Sequence, residues 1–204
     1  MQTDFLASPW WVNLLILIPL VAYLAWRRTG LFLTGGNLLA AAAFGMAFGM
    51  VESTVVVYLR AASGLLPGYK ESLSEAARLS ANVYRQDQLI VQVPATLLTV
   101  EVVREAATMI MLLAVAFLAA KTLRERCAVF LWTFAAWDIS YYAGLWCTIR
   151  WPASLGTPDV LFLIPVPWLS PVWFPVTVSA LTMAAVVLVR RKTASEAPPQ
   201  TGGA

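Results

Sequence analysis

The chain has 204 residues, of which 60% are hydrophobic and only 12% charged, with a formal net charge of +3. Soluble domains average about 45–50% apolar and about 25% charged residues, so the composition excludes a soluble domain and predicts an all-α, polytopic membrane helix bundle. Histidine is absent, which excludes histidine-ligated haem, zinc or copper and any nucleophile served by an imidazole base, and no haem is expected. The few basic residues form no continuous stripe, so nucleic acid is not an expected partner.

Apolar runs predict about five transmembrane helices, since a crossing needs about 20 residues. The first run, residues 10–26, is followed by Arg27 and Arg28 and has no basic residue before it, which favours an uncleaved span over a signal peptide. The predicted spans are residues 10–26, 37–60, 94–120, 127–149 and 169–189. We expect residues 1–192 to form a single membrane domain and residues 193–204 to form a disordered tail.

Two connecting segments have distinctive compositions. Within the long connection between the second and third spans, residues 71–79 have the apolar spacing of a short amphipathic helix on the membrane face. Residues 151–175 contain six prolines and three tryptophans, and no regular helix tolerates that proline density. We therefore expect a re-entrant or surface-lying segment there, on the outer side of the membrane.

Basic residues cluster at three places, residues 27–28, 121–126 and 190–192. The excess of lysine and arginine in cytoplasmic loops predicts that all three clusters are cytoplasmic, and five crossings satisfy this requirement. The sequence thus predicts a multi-pass protein of the plasma membrane, with its amino terminus outside and its carboxy terminus in the cytoplasm.

Five carboxylic acids lie inside or at the edge of these apolar stretches: Glu52, Glu101, Glu105, Asp138 and Asp159. An ionised acid at mid-membrane costs at least about 2.5–3.5 kcal/mol, so these positions indicate function. From the rise of a helix, the first four lie about 10–18 Å below the outer interface, on three different spans. Asp159 and Arg150 would cap the same region, so we expect one buried polar cluster that opens outward.

Helical spacing predicts which acids face inward. Gly45 and Gly49 form a small-xxx-small step for close helix packing, and Glu52 continues the same face. Glu101 and Glu105 are one turn apart, and the sequence leaves open whether Glu105 faces the bundle or lipid.

Arg104 follows Glu101 by three residues and can pair with it, or hydrogen bond with Glu52; either contact could be a structural device that joins helices. Tyr141 and Tyr142 follow Asp138 by one turn and could reach the same pocket, although interfacial aromatic residues commonly have no other role.

Several strings occur together between residues 44 and 180, among them Trp137-Asp138 with Tyr141-Tyr142, Arg104-Glu105-Ala106-Ala107-Thr108, and Leu161-Phe162-Leu163-Ile164-Pro165-Val166-Pro167-Trp168. Together they resemble a group of small prokaryotic multi-pass membrane proteins for which no activity is known. The resemblance implies no ligand, cofactor or mechanism, so functional inference depends on the residues themselves.

Three functions fit the predicted cluster. In the first, Glu52, Glu101, Glu105 and Asp138 bind a cation, either a proton or a divalent metal such as Mn²⁺, Mg²⁺ or Ca²⁺, for transport or metal-dependent chemistry. In the second, Glu52 or Asp138 is the general acid or base of a lipid-active membrane enzyme. In the third, the chain is a non-catalytic subunit of a larger membrane complex. Its expected partners are the lipid bilayer and either a second copy of the chain or a complex partner.

Overall fold

The computed structural model describes residues 6–62 and 95–191, without the side chains of residues 59–62 and 95–97. The described helices are a 3-10 helix Trp10–Leu17 that continues into α1 (Ile18–Trp26), then α2 (Gly35–Ala62), α3 (Ala95–Ala119), α4 (Leu123–Ile149) and α5 (Trp173–Val189). The predicted helix at residues 71–79 and the predicted tail at residues 193–204 lie outside the described residues.

The mostly helical fold is confirmed, and each described helix overlaps a predicted span. By length and composition, Gly35–Tyr58 and Leu98–Ala119 are apolar enough to cross a membrane, whereas Trp10–Trp26 and Trp173–Val189 are apolar but shorter. Five crossings therefore stay a prediction.

Both ends of α4 have local sequence causes. At the start, the Thr122 side chain accepts a hydrogen bond from the Glu125 backbone N–H, which makes it the N-cap, and it donates one to the Glu125 carboxylate. At the end, Arg150 adopts the left-handed conformation with φ of 54°, and Pro152 follows two residues later. The left-handed residue and the following proline end the helix before the proline-rich segment.

Helices α2 and α4 run parallel in close contact because glycines remove side-chain bulk between them. A Cβ atom on Gly45 would overlap the Thr133 backbone, and one on Gly49 would overlap the backbone of Trp137. From the other side, a Cβ atom on Gly144 would overlap the Ser53 side chain. The predicted packing role of the glycine step is thus confirmed.

The proline-rich segment contains a short antiparallel hairpin, which the all-α prediction did not include. Strand β1 (Pro158–Phe162) pairs with β2 (Trp168–Pro171), so that Asp159 lies opposite Ser170. Ser8 in turn exchanges two backbone hydrogen bonds with Leu169, of 2.8 and 2.7 Å. The hairpin keeps the backbone paired where prolines prevent a helix.

At the opposite end of the bundle, the basic residues meet. The backbone of Leu31, which follows α1, pairs with that of Val189 and Arg191 at the end of α5. Arg124, at the start of α4, donates to the Thr29 hydroxyl at 2.6 Å. Below this end lies an apolar core built largely of alanine and valine, which includes Ala116, Ala128, Val129 and Val186.

Candidate functional site

A cavity of about 110 Å³ lies between the helices and the hairpin. Four carboxyl groups from four separate elements line it: Glu52 of α2, Glu105 of α3, Asp138 of α4 and Asp159 of β1. Each of these residues is at most 8% exposed. Buried acids need compensating charge or hydrogen bonds, and the local geometry shows what each one receives.

Glu52 forms an ion pair with Arg104 across the interface between α2 and α3. Arg104 also donates to Glu101 at 2.8 and 3.0 Å, so a single guanidinium joins two carboxylates. The Thr108 hydroxyl donates to Glu52 at 2.7 Å. Glu52 thus receives one ion pair and one hydroxyl hydrogen bond, the kind of compensation that a buried carboxylate needs.

Glu105 faces inward and contacts the hairpin. Both of its carboxylate oxygens accept hydrogen bonds from the Leu163 backbone N–H, at 3.1 and 2.9 Å. Leu163 directly follows β1, where the chain turns toward β2. The carboxylate therefore attaches the turn of the hairpin to α3 and supplies an acceptor for a backbone N–H that lacks a strand partner.

Asp138 and Asp159 line the cavity with one hydroxyl donor each. Ser179 of α5 donates to Asp138 at 2.8 Å, and Tyr142 of α4 donates to Asp159 at 2.6 Å. The Val160 backbone N–H also donates to Asp159. Asp138 forms no ion pair with the described residues, in contrast to Glu52.

Aromatic rings form one wall of the cavity. Trp137 stacks with Tyr141 at 6.1 Å between ring centroids and lies 6.4 Å from the ring of Phe162. Phe162 in turn contacts Phe134 and Trp168. Because these rings come from α4 and the hairpin, the hairpin encloses the cavity.

A second, almost entirely apolar cavity of about 310 Å³ adjoins the first. The two cavities share seven lining residues: Leu15, Glu105, Phe134, Phe162, Trp168, Val178 and Ser179. Beyond this shared wall, the apolar cavity continues along Met109, Leu131 and Ala135. A polar compartment and an apolar compartment thus lie side by side.

Not all predicted site residues meet in the cavity. Glu52, Glu105 and Asp138 line it, as do the predicted supporting residues Arg104, Tyr141, Tyr142 and Asp159. Glu101 is separated from the cavity by its contact with Arg104, and Arg150 lies over the Trp146 ring.

The predicted metal site of Glu52, Glu101, Glu105 and Asp138 gains no support. Within residues 6–62 and 95–191, no group of three or more acidic or cysteine side chains is close enough to hold a metal ion. The carboxyl groups come from separate elements around the cavity, and their described partners are Arg104, hydroxyl groups and two backbone N–H groups.

Sequence reasoning missed the hydroxyl donors Thr108 and Ser179. Thr108 lies one turn after Arg104, so its helix face could have been inferred. Ser179 carries no comparable signal, because its partner Asp138 is 41 residues away.

No protein-family model, curated protein or solved structure matches the chain. Function must therefore be argued from the cavity and its residues.

Proposed function

We propose that the chain is a multi-pass plasma-membrane protein that binds an amphipathic lipid and acts on it by general acid–base chemistry. The polar end of the lipid occupies the carboxyl-lined cavity, and its acyl chain occupies the adjoining apolar cavity. Asp138 is the acid–base group. The amino terminus is outside and the carboxy terminus in the cytoplasm, as the basic residues favour.

The observation that carries this proposal is the shared wall of the two cavities. An amphipathic ligand requires a polar and an apolar compartment in contact. The apolar cavity, of about 310 Å³, is at the lower end of the size range of small-molecule sites, about 300–1,000 Å³, and the adjoining carboxyl-lined cavity adds about 110 Å³. A free metal ion or a proton would need neither this volume nor an apolar extension.

The outer surface of the helices supports access from lipid. Along α3, the side chains of Val103, Ile110 and Leu118 are 63%, 66% and 89% exposed. An apolar surface of this length favours contact with acyl chains or with a partner chain.

Asp138 suits acid–base chemistry better than Glu52, the other candidate. Glu52 is already compensated by Arg104 and Thr108, so a change in its protonation would break an ion pair. Asp138 has only the Ser179 hydroxyl among its described partners, and it lines the cavity. A proton can move to or from Asp138 without the loss of an ion pair.

Lipid binding is tested with two methionines of α3. Met109 lines the apolar cavity, whereas Met111 is 42% exposed on the same helix. We expect Met109→Trp to fill the cavity and lower the amount of co-purified lipid at least about tenfold, equivalent to about 1.4 kcal/mol. Met111→Trp should retain lipid. The measurement is native mass spectrometry of protein released from nanodiscs, and equal lipid retention by both variants would contradict the proposal.

Turnover is tested by incubating the protein with a total membrane lipid extract and comparing lipid mass spectra before and after. The wild type should convert at least one lipid species, whereas Asp138→Asn should convert none while it still binds lipid. Glu125→Gln, in the first turn of α4 and remote from the cavity, should convert the same lipid species as the wild type. If the wild type binds lipid and changes none, the protein is a binding subunit rather than an enzyme.

A further inference from the structure

We propose that the lipid bound in this cavity has an uncharged head group rich in hydroxyls, as a sugar in a glycolipid does. The inference rests on the proposed function and specifies its ligand. It follows from three properties of the polar cavity: its charge, its unpaired hydrogen-bond donors, and its aromatic wall.

Charge argues against an anionic head group. Four carboxyl groups line the cavity, and the single guanidinium among its described lining residues is Arg104. Arg104 already contacts both Glu52 and Glu101. A phosphate would therefore meet several carboxyl groups at low dielectric without a free cation to compensate it.

Hydrogen-bond donors argue against a simple ammonium head group. Trp137 and Trp168 both line the cavity, and the indole Nε1 of each is buried without a hydrogen-bond partner among the described residues. Trp137 is 8% exposed, so water gives little compensation. An indole N–H needs an acceptor, which an ammonium group does not have.

A hydroxyl group both donates and accepts, so it suits this combination of side chains. Its O–H can donate to a remaining lone pair of Asp138, which has one side-chain hydroxyl donor among the described residues. Its oxygen can accept from the indole of Trp137. A head group with several hydroxyls satisfies donors and acceptors at the same time, which one charged group does not.

The aromatic wall adds a surface for a sugar ring. Trp137 and Tyr141 stack with an interplanar angle of 24°, so their rings present similarly oriented faces. The face of an aromatic ring carries partial negative charge and attracts the partially positive C–H groups of a sugar. A polyhydroxyl ring can therefore pack its C–H face on the wall and direct its hydroxyls toward the carboxyl groups.

The experiment uses the full chain in phosphatidylcholine nanodiscs that contain four dioleoyl probes at equal amounts. The probes are monoglucosyl diacylglycerol, a trimethylammonium-propane lipid, phosphatidic acid and unmodified diacylglycerol. Native mass spectrometry of the released protein measures which probe stays bound. We expect the glucosyl lipid to exceed each of the other three at least about tenfold in bound fraction.

Trp137→Phe keeps a ring in the wall and removes the N–H donor. The loss of one hydrogen bond is expected to lower the preference for the glucosyl lipid about fivefold. Trp146→Phe is the matched control, because Trp146 lies on the same helix but is 52% exposed and lines neither described cavity. This control should leave the preference unchanged.

The outcomes separate this inference from the proposed function. Equal binding of all four probes that is abolished by Met109→Trp would overturn the hydroxyl preference and leave lipid binding intact. Preferential binding of the ammonium lipid or of phosphatidic acid would overturn it as well. If no probe binds, both proposals fail.

Discussion

The two ends of the helix bundle use charge in opposite ways. At the basic end, guanidinium groups donate to backbone carbonyls: Arg126 to Ala120 at 3.0 Å and Arg190 to Leu33 at 2.8 Å. At the other end, carboxyl groups are buried around a cavity, and a single arginine serves two of the acids in this region.

The difference separates charges that complete the fold from charges that serve a site. Basic residues follow the C-termini of α1, α3 and α5, where free carbonyls and the helix dipole favour cations. Arg126 is in the first turn of α4, but it donates to the Ala120 carbonyl just after α3. Asp138 has no such explanation, because it is in the middle of α4 and is buried. Burying a charge costs free energy, so a buried acid beside a cavity indicates a functional role.

The largest effect on stability is expected from substitution of Arg104. The ion pair between Arg104 and Glu52 is buried, whereas the contact between Arg124 and Thr29 at the basic end is exposed. Arg104→Gln leaves Glu52 buried without a cation and should lower the free energy of unfolding by about 3–5 kcal/mol. Arg124→Gln, at the basic end, removes an exposed contact with Thr29 and should change it by no more than about 1 kcal/mol. Unfolding in mixed micelles of increasing SDS fraction measures both.

The double variant Glu52→Gln/Arg104→Gln provides the control for this prediction. It removes both charges together, so it should recover part of the stability lost in Arg104→Gln. If it is as unstable as the single variant, the cost does not come from the uncompensated carboxylate.

The second-largest effect on stability is expected at the contact between α2 and α4, the helices that carry Glu52 and Asp138. Gly49→Ala places a methyl group against the Trp137 backbone and should lower the free energy of unfolding by about 1–3 kcal/mol. Gly36→Ala, on the same helix, meets open space and should not destabilise. Equal stability of the two variants would contradict the close approach of α2 and α4.

A comparable effect is expected from Tyr142→Phe, which removes the hydroxyl that donates to Asp159. The buried carboxyl group keeps the Val160 N–H, so the expected loss of stability is about 1–3 kcal/mol. Binding of the glucosyl lipid should fall in the same variant, because Tyr142 and Asp159 both line the cavity. Unchanged stability and binding would contradict a role for this hydrogen bond.

The smallest effect on stability is expected from a substitution at the basic end. Thr122→Ala removes the N-cap hydroxyl of α4 and should lower the free energy of unfolding by about 1 kcal/mol, as N-cap losses do. Lipid binding should be unchanged, since Thr122 lies at the end of the helix remote from the cavity. A loss of lipid binding in this variant would mean that the two ends are coupled.

Helical spacing predicted the local part of the site correctly. Glu52 follows the Gly45 and Gly49 face and is buried, and Arg104 pairs with Glu101 three residues before it. Spacing along one helix determines which side chains share a face, so these relations are available from sequence. It also placed Tyr142 near Asp138, although the partner of its hydroxyl is Asp159 on the hairpin.

The sequence by itself determined the helical spans, the proline-rich interruption, and the presence of acids on three helices at a similar distance from the hairpin end. Apolar run length, backbone geometry and helix rise determine these features locally. Only the tertiary structure decided that Glu105 attaches the hairpin, that Ser179 contacts Asp138, and that a polar cavity adjoins an apolar one. Those contacts join residues 41 or more positions apart, and no local pattern of residues specifies such a pairing.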